Sequence, residues 1–159
     1  DFSIKLPPEE FCEHWAREKA LNIAKDYPRS YILGADTIVV LDNKILGKPK
    51  DRDHSISMLK SLSGKTHEVL TGVSIIKIDS GVDVLFNTST YVSIRTLKYS
   101  DICNYIDIYS PYDKAGSYGI QDSFSMYVKK IDGCFYNVMG LPISEFYKHF
   151  LEIRKKAYR

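Results

Sequence analysis

An aspartate inside an apolar stretch is the residue of this sequence best suited to chemistry. Asp36 lies in the run 31–41, Tyr-Ile-Leu-Gly-Ala-Asp-Thr-Ile-Val-Val-Leu. An ionised carboxylate is costly to bury unless a metal ion or a hydrogen-bond donor accompanies it. The small neighbours Gly34 and Ala35 let a ligand approach the backbone, and Thr37 adds a hydroxyl on the opposite side of a strand. Asp36 therefore either has a function, or caps a neighbouring helix or pairs with a structural lysine.

Lysines on two predicted loops could neutralise phosphate. Lys48 and Lys50 follow the Asp36 stretch closely in sequence, and Lys114 lies in the glycine-rich segment 112–121. The lysine ammonium is a compact charge that suits phosphate, although flexible lysines are commonly solvated surface groups. Lysines carried on loops beside an aspartate indicate a site for a triphosphate and a metal ion.

Residues 63–66, Ser-Gly-Lys-Thr, copy the end of the phosphate-binding loop G-x-x-x-x-G-K-[ST]. The first glycine of that motif is replaced by Leu59, and the segment follows a predicted helix and precedes a predicted strand. No helix N-terminus is then available to receive phosphate. We predict a helix end and a strand start here, and we interpret the adjacent His67 as an ordinary strand residue.

Helices and strands that alternate along the chain must position these residues. Apolar spacing, proline and glycine predict helices at 8–27, from about 53 to 62, from a cap at Ser100 to 110, and at 144–156. Runs rich in β-branched residues predict strands at 31–41, 66–78, 82–94 and 124–131, while 44–50 and 112–121 are predicted to be irregular. This order predicts an α/β domain built on a mixed sheet.

Composition narrows the class of protein. A chain of 159 residues, 44% apolar and 26% charged, predicts one globular domain spanning 1–159. No apolar run is long enough to cross a membrane, and the net charge of +2 gives no reason to expect a nucleic-acid partner. The cysteines Cys12, Cys103 and Cys134 are too far apart for a zinc or disulfide framework, which favours a cytoplasmic protein.

Seven segments, in order along nearly the whole chain, resemble the Maf family of nucleotide pyrophosphatases. One such motif would be weak, but seven in register are specific. They are Ala16-Arg17-Glu18-Lys19-Ala20, Gly34-Ala35-Asp36-Thr37, Gly47-Lys48-Pro49, Leu62-Ser63-Gly64-Lys65-Thr66-His67, Asp113-Lys114-Ala115-Gly116, Tyr118-Gly119-Ile120-Gln121 and Gly140-Leu141-Pro142.

The resemblance implies an enzyme that hydrolyses a nucleoside triphosphate to the monophosphate and pyrophosphate with a divalent metal, Mg²⁺ or alternatively Mn²⁺. It implies an elongated three-layer α/β/α fold with a cleft, and a homodimer. The dTTP- and UTP-hydrolysing subgroup is the one that the Asp-Thr and Ile-Gln pairings resemble. The functional positions of the family fall on the proton-accepting and metal-binding Asp36, the phosphate-binding Lys19, Lys48 and Lys114, and the base-selecting Thr37 and Gln121.

The sequence departs from the family at its start. Family members open with a Ser-x-Ser-Pro-Arg-Arg loop that holds the triphosphate, and an acidic residue precedes their first helix, but residues 1–3 offer no clear counterpart. Either the sequence begins after that loop or the protein has lost it. Loss of the arginines would slow the reaction on the order of a thousandfold or more.

Two other functions therefore stay open. The first is a Maf-like protein that binds nucleotides, or regulates partners, with little or no turnover. The second is a nucleic-acid binder that uses Lys129, Lys130 and the basic tail 154–156. That binder would require steep salt dependence, which the small net charge does not favour.

Overall fold

The computed structural model describes residues 5–157, which form one five-stranded sheet and five α-helices; residues 1–3, discussed above, lie outside this range. The sheet order is β2-β1-β3-β4-β5. No helix among the described residues is both long and apolar enough to cross a bilayer. The elements are α1 Pro8–Ala24, β1 Ile32–Leu41, β2 Lys44–Leu46, α2 Arg52–Leu62, β3 Thr66–Lys77, β4 Val82–Ile94, α3 Tyr99–Tyr109, β5 Val128–Asp132, α4 Phe135–Val138 and α5 Ile143–Ala157.

The α/β class is confirmed, but the sheet is antiparallel rather than mixed. Strand β1 pairs antiparallel with β2, and β4 pairs antiparallel with β5. Side-chain contacts Thr37–Thr71 and Asp42–Lys65 run in opposite directions along β1 and β3, and a short turn joins the neighbouring strands β3 and β4. Short turns between sheet neighbours permit only antiparallel pairing, which the alternation of predicted elements does not reveal.

Strand β2 lies where an irregular loop was predicted. Asp42 and Asn43 both have positive φ, 50° and 61°, which is the two-residue turn that suits the twist of a hairpin. The chain therefore folds back so that Lys44 pairs with Leu41. The irregular part of the predicted loop begins only after Leu46.

Some elements begin at other residues than predicted, where side chains form hydrogen bonds with backbone groups. Helix α3 has Lys98 as its N-cap, so Ser100 lies inside the helix instead of capping it. The strand predicted from Phe124 begins at Val128, because the Asp122 side chain accepts a hydrogen bond from the Phe124 N–H and caps a 3-10 helix, Ser123–Tyr127. The short helix α4 was not predicted.

The described chain divides into two compact units. The first comprises the described residues up to Thr37, Leu70–Thr88 and those from Tyr136 onwards; the second comprises Ile38–Val69 and Ser89–Phe135. The prediction of a single domain over the whole chain stays a prediction. In the second unit, α2 packs against α3, with Leu59 and Ile106 fully buried.

Within the first unit, helices cover both faces of the sheet. Neighbouring residues of a strand point to opposite faces. On β4, Asn87 hydrogen-bonds Glu13 of α1, whereas Phe86 stacks on His149 of α5 with ring centroids 4.2 Å apart. The three-layer α/β/α arrangement is thus confirmed in this unit.

Candidate functional site

The Asp36 carboxylate is paired with a lysine of α1. Lys19 Nζ lies 2.6 Å from Asp36 Oδ1 and 3.3 Å from the carbonyl oxygen of Ala35. The Asp36 side chain is 19% exposed and that of Lys19 is 55% exposed, so solvent reaches both groups. Among residues 5–157, Lys19 is the only hydrogen-bond partner of this carboxylate, which leaves Oδ2 for a ligand.

Two glycines set the distance between α1 and the sheet. A Cβ added to Gly34 would lie 2.2 Å from the carbonyl oxygen of Ala16, and one added to Gly72 would lie 2.4 Å from the α1 backbone. Neither position has room for a side chain, so the helix lies directly on β1 and β3. Gly34 and Asp36 share one face of β1, and the close approach of the helix brings Lys19 to the carboxylate.

Thr37 lies on the opposite face of the sheet from Asp36. Its Oγ1 is 2.9 Å from Oγ1 of Thr71, which donates to the carbonyl oxygen of Asn137 over 3.2 Å. A Cβ added to Gly140, at φ 110°, would lie 3.5 Å from Thr37 Oγ1. The structure therefore brings Lys19 to Asp36 but directs Thr37 towards the turn after α4.

In the second unit, the two lysine-bearing loops are joined through their backbones. The Gly116 N–H donates to the carbonyl oxygen of Gly47 over 3.1 Å. Gly116 has φ 66°, and an added Cβ would lie 3.0 Å from a methyl group of Val39, so glycine is required there. The exposed Lys48 and the half-buried Lys114 each lie close in sequence to this junction.

The segment that follows Lys114 is fixed by buried hydrogen bonds. The hydroxyl groups of Ser55 and Ser117 are hydrogen-bonded to each other, and His67 Nε2 lies 2.8 Å from the Tyr118 hydroxyl. His67 is 2% exposed, and burial lowers its pKa to about 4. No local pattern in the sequence indicates this pairing, because 51 residues separate the two partners.

The end of the segment is fixed by Tyr105 of α3. The Gly119 N–H donates to the Tyr105 hydroxyl, which in turn donates to Asp122 Oδ2, both over 3.0 Å. Gln121 lies between these contacts with its side chain exposed. The second unit therefore presents Lys48, Lys114 and Gln121 on loops whose backbones are held by buried groups.

The helix end predicted at the phosphate-loop look-alike is confirmed. Helix α2 ends at Leu62, Gly64 adopts φ 71°, and β3 begins at Thr66. The backbone N–H of Lys65 bonds the carbonyl of Leu62, which is a helix stop and not a phosphate cradle.

A divalent metal ion would fit Asp36 only if the substrate and water supplied most of its ligands. The described residues contain no group of three His, Cys, Asp or Glu side chains that could hold a metal ion. Mg²⁺, however, is commonly bound through one or two carboxylates together with substrate phosphates and water. The single accessible carboxylate of Asp36 suits that shared mode.

The comparison with protein families gives one match over nearly the whole chain. A family model described as Maf-like protein matches residues 3–153. The match therefore covers the segments that carry Lys19, Asp36, Lys48, Lys114 and Gln121.

Three bacterial relatives, each named dTTP/UTP pyrophosphatase, are similar over most of their lengths. The Syntrophomonas wolfei subsp. wolfei protein is 48% identical over 140 residues, 88% of this chain and 74% of the relative. The Carboxydothermus hydrogenoformans protein is 41% identical over 153 residues, 96% of this chain and 81% of the relative. The Bacillus pumilus protein is 45% identical over 145 residues, 91% of this chain and 76% of the relative.

Proposed function

This chain belongs to the Maf-like protein family, and on that premise we propose that it hydrolyses dTTP and UTP to the nucleoside monophosphate and pyrophosphate. It is an enzyme of the nucleoside triphosphate pyrophosphatase class, as the names of its relatives indicate. The observation that supports this chemistry best is the accessible Asp36 carboxylate, held at one oxygen by Lys19 at 2.6 Å. We propose housekeeping of the nucleotide pool as its role.

In the proposed reaction, Asp36 accepts a proton from a water molecule whose oxygen attacks the α-phosphorus. The bond between the α-phosphorus and the oxygen that bridges to the β-phosphorus breaks, and pyrophosphate leaves with the electron pair. Because Lys19 binds Oδ1, it orients the carboxylate and leaves Oδ2 for the water. A positioned general base contributes about a hundredfold to ten-thousandfold in rate.

The remaining roles are assigned by charge and hydrogen-bonding capacity. Lys48 and Lys114 would bind the departing phosphates, as the joined backbones of their loops favour. The Gln121 amide both donates and accepts hydrogen bonds, which matches the imide edge of uracil or thymine. For Thr37, a base-selecting role rests on the family resemblance alone, since its hydroxyl already bonds Thr71.

We propose Mg²⁺ as the cofactor, with Mn²⁺ as the alternative. Asp36 would hold the ion together with phosphate oxygens of the substrate. When bound, the metal would neutralise charge on the phosphate chain. The Asp36 carboxylate is accessible and belongs to no group of three potential metal ligands among the described residues, which supports this shared coordination.

Location and partners are further proposals. Three free cysteines support a reducing compartment, and we propose the cytoplasm. A homodimer is supported by the family resemblance. The net charge of +2 supports a protein without a nucleic-acid partner.

The test measures pyrophosphate release by the full-length protein from dTTP, UTP, dCTP and dGTP, with Mg²⁺ and with Mn²⁺. We expect release from dTTP and UTP, and its loss in Asp36→Asn. The matched control is Asp132→Asn, because Asp132 is also paired with a lysine, Lys130, at 2.7 Å but is exposed at the end of β5. Full activity in Asp36→Asn would refute the mechanism, and nucleotide binding without product would identify a nucleotide-binding or regulatory protein.

A further inference from the structure

A buried tyrosine hydroxyl ties together both ends of the short stretch that carries Gln121. The Gly119 N–H donates to this Tyr105 hydroxyl, and the hydroxyl donates to Asp122 Oδ2. Only Ile120 and Gln121 lie between the two tied residues. The Ile120 side chain is buried and packs in the interior, whereas the Gln121 side chain is exposed to solvent.

Tyr105 is itself fixed within the second unit. Its side chain is 3% exposed, and its ring lies 5.0 Å from that of Phe124 and 5.2 Å from that of Tyr109. Burial raises the pKa of the Tyr105 hydroxyl, so that it keeps its proton and remains a donor. The donor that binds Asp122 therefore has both a fixed position and a fixed protonation state.

The second partner, Asp122, is held at both oxygens. While Oδ2 accepts from Tyr105, Oδ1 accepts from the Phe124 N–H over 2.9 Å. A Cβ added to Gly119 would lie 2.5 Å from Asp122 Oδ2 and 3.1 Å from Cε of Lys114. Glycine at this position makes room both for the carboxylate and for the stem of a lysine assigned to phosphate.

We infer that Tyr105 and Asp122 are positioning residues that set recognition of the pyrimidine base by Gln121. This inference rests on the proposed hydrolysis of dTTP and UTP. A glutamine amide distinguishes an imide edge only if its donor and its acceptor are presented in a fixed orientation. The two hydrogen bonds of the Tyr105 hydroxyl restrict the backbone on either side of Gln121, which lowers the ordering cost of binding.

Tyr105→Phe tests the inference because it removes the hydroxyl and keeps the ring. We expect KM for dTTP to rise about tenfold or more, while kcat changes by less than about threefold. The preference in kcat/KM for dTTP over dCTP should fall, since cytosine lacks the imide N–H. Tyr109→Phe is the matched control: Tyr109 lies on the same helix and stacks on Tyr105 but is no part of these hydrogen bonds, so all three quantities should stay at wild-type values.

A double-mutant cycle shows whether Tyr105 acts through Gln121. In a Gln121→Ala background, Tyr105→Phe should cause no further loss of the dTTP preference. Asp122→Asn keeps an oxygen that can accept from Tyr105 and should retain more of the preference than Asp122→Ala. Losses that add independently, or a lower melting temperature with unchanged KM and preference, would overturn the inference.

Binding of the product dTMP, measured by calorimetry on the same variants, separates this inference from the proposed function. Wild-type protein that releases pyrophosphate from none of the triphosphates overturns the proposed function alone if it still binds dTMP. The inference then depends on the dissociation constants for dTMP. A larger constant for Tyr105→Phe than for the wild-type protein sustains the inference, and equal constants overturn it. Wild-type protein that neither cleaves triphosphates nor binds dTMP overturns both.

Discussion

The imidazole Nε2 of His67 lies 2.8 Å from the phenol oxygen of Tyr118, and both side chains are buried in the second unit. Burial lowers the pKa of His67 to about 4, from an ordinary value of 6.5. The folded protein therefore keeps His67 neutral at pH values where the unfolded chain binds a proton. This difference links stability to pH.

We expect the protein to lose stability as pH falls from about 6.5 towards 4. Stability rises with pH wherever the unfolded state binds more protons, so the contribution of His67 is complete above pH 6.5 and lost near pH 4. The lowered pKa corresponds to a loss of about 3 kcal/mol in the free energy of unfolding across this pH range. Urea unfolding between pH 4 and 7, followed by circular dichroism, measures it. In His67→Gln this part of the pH dependence should vanish, and an unchanged profile would show that His67 does not cause it.

Local sequence patterns predicted the elements that carry Lys19 and Asp36, and the helix end that precedes β3. The α1 helix, the strand around Asp36 and the helix end at Gly64 follow from apolar spacing, a β-branched run and a glycine cap, all of which are short-range. Strand alternation also predicted that Thr37 lies on the opposite face from Asp36. Only strand β2 was missed there, because Pro49 and its flanking lysines favour an irregular loop over 44–50.

Contacts between distant residues could not be predicted. Nothing in the spacing of His67 or Tyr105 indicates that each meets the segment 118–122, since those hydrogen bonds depend on how whole elements pack. The Lys19–Asp36 pair spans 17 residues and exists because Gly34 admits the helix. Pairing with a lysine was one alternative for Asp36, but the sequence did not say which lysine.

Gly34→Ala should destabilise the protein and reduce activity together. The added methyl group would lie 2.2 Å from the carbonyl oxygen of Ala16, so α1 must move away from the sheet. Overpacking of this kind costs about 1–3 kcal/mol. The movement would also draw Lys19 away from Asp36. Melting temperature and pyrophosphate release from dTTP are the two measurements.

Gly81→Ala is the matched control for Gly34→Ala. Gly81 has φ 65°, and an added Cβ meets nothing within 4 Å, so the substitution strains only the turn between β3 and β4. It should cost about 1–2 kcal/mol and leave kcat unchanged. If Gly34→Ala lowers stability no more than this and retains full kcat, the close packing of α1 does not position Lys19.

Lys19→Met should lower kcat for dTTP by about a hundredfold or more, because it removes a charged donor beside the reacting group. Lys19→Arg should retain part of the rate, since arginine keeps the charge but cannot reproduce the geometry. The control is Lys130→Met, which breaks an exposed pair with Asp132. Single-turnover kinetics measure the chemical step directly. A Lys19→Met protein with wild-type kcat would show that the carboxylate needs no orienting cation.

Thr37→Val tests what the threonine beside Asp36 does. The Thr71 hydroxyl donates its one proton to the carbonyl oxygen of Asn137, so towards Thr37 it can only accept. Thr37 is therefore the donor of the hydrogen bond between the two threonines. Thr37 has then no proton left for a base and could select one only by accepting the imide N–H.

We expect Thr37→Val to lower the free energy of unfolding by about 1 kcal/mol, since it removes a hydrogen bond inside the first unit without changing the size of the side chain. Thr66→Val is the control: Thr66 of β3 bonds Ser93 of β4 in an exposed pair, so this substitution should cost less. Urea unfolding measures both. The ratio of kcat/KM for dTTP over dCTP decides the functional role: it falls if Thr37 accepts the imide N–H, and it stays constant if the hydroxyl serves only to hold Thr71.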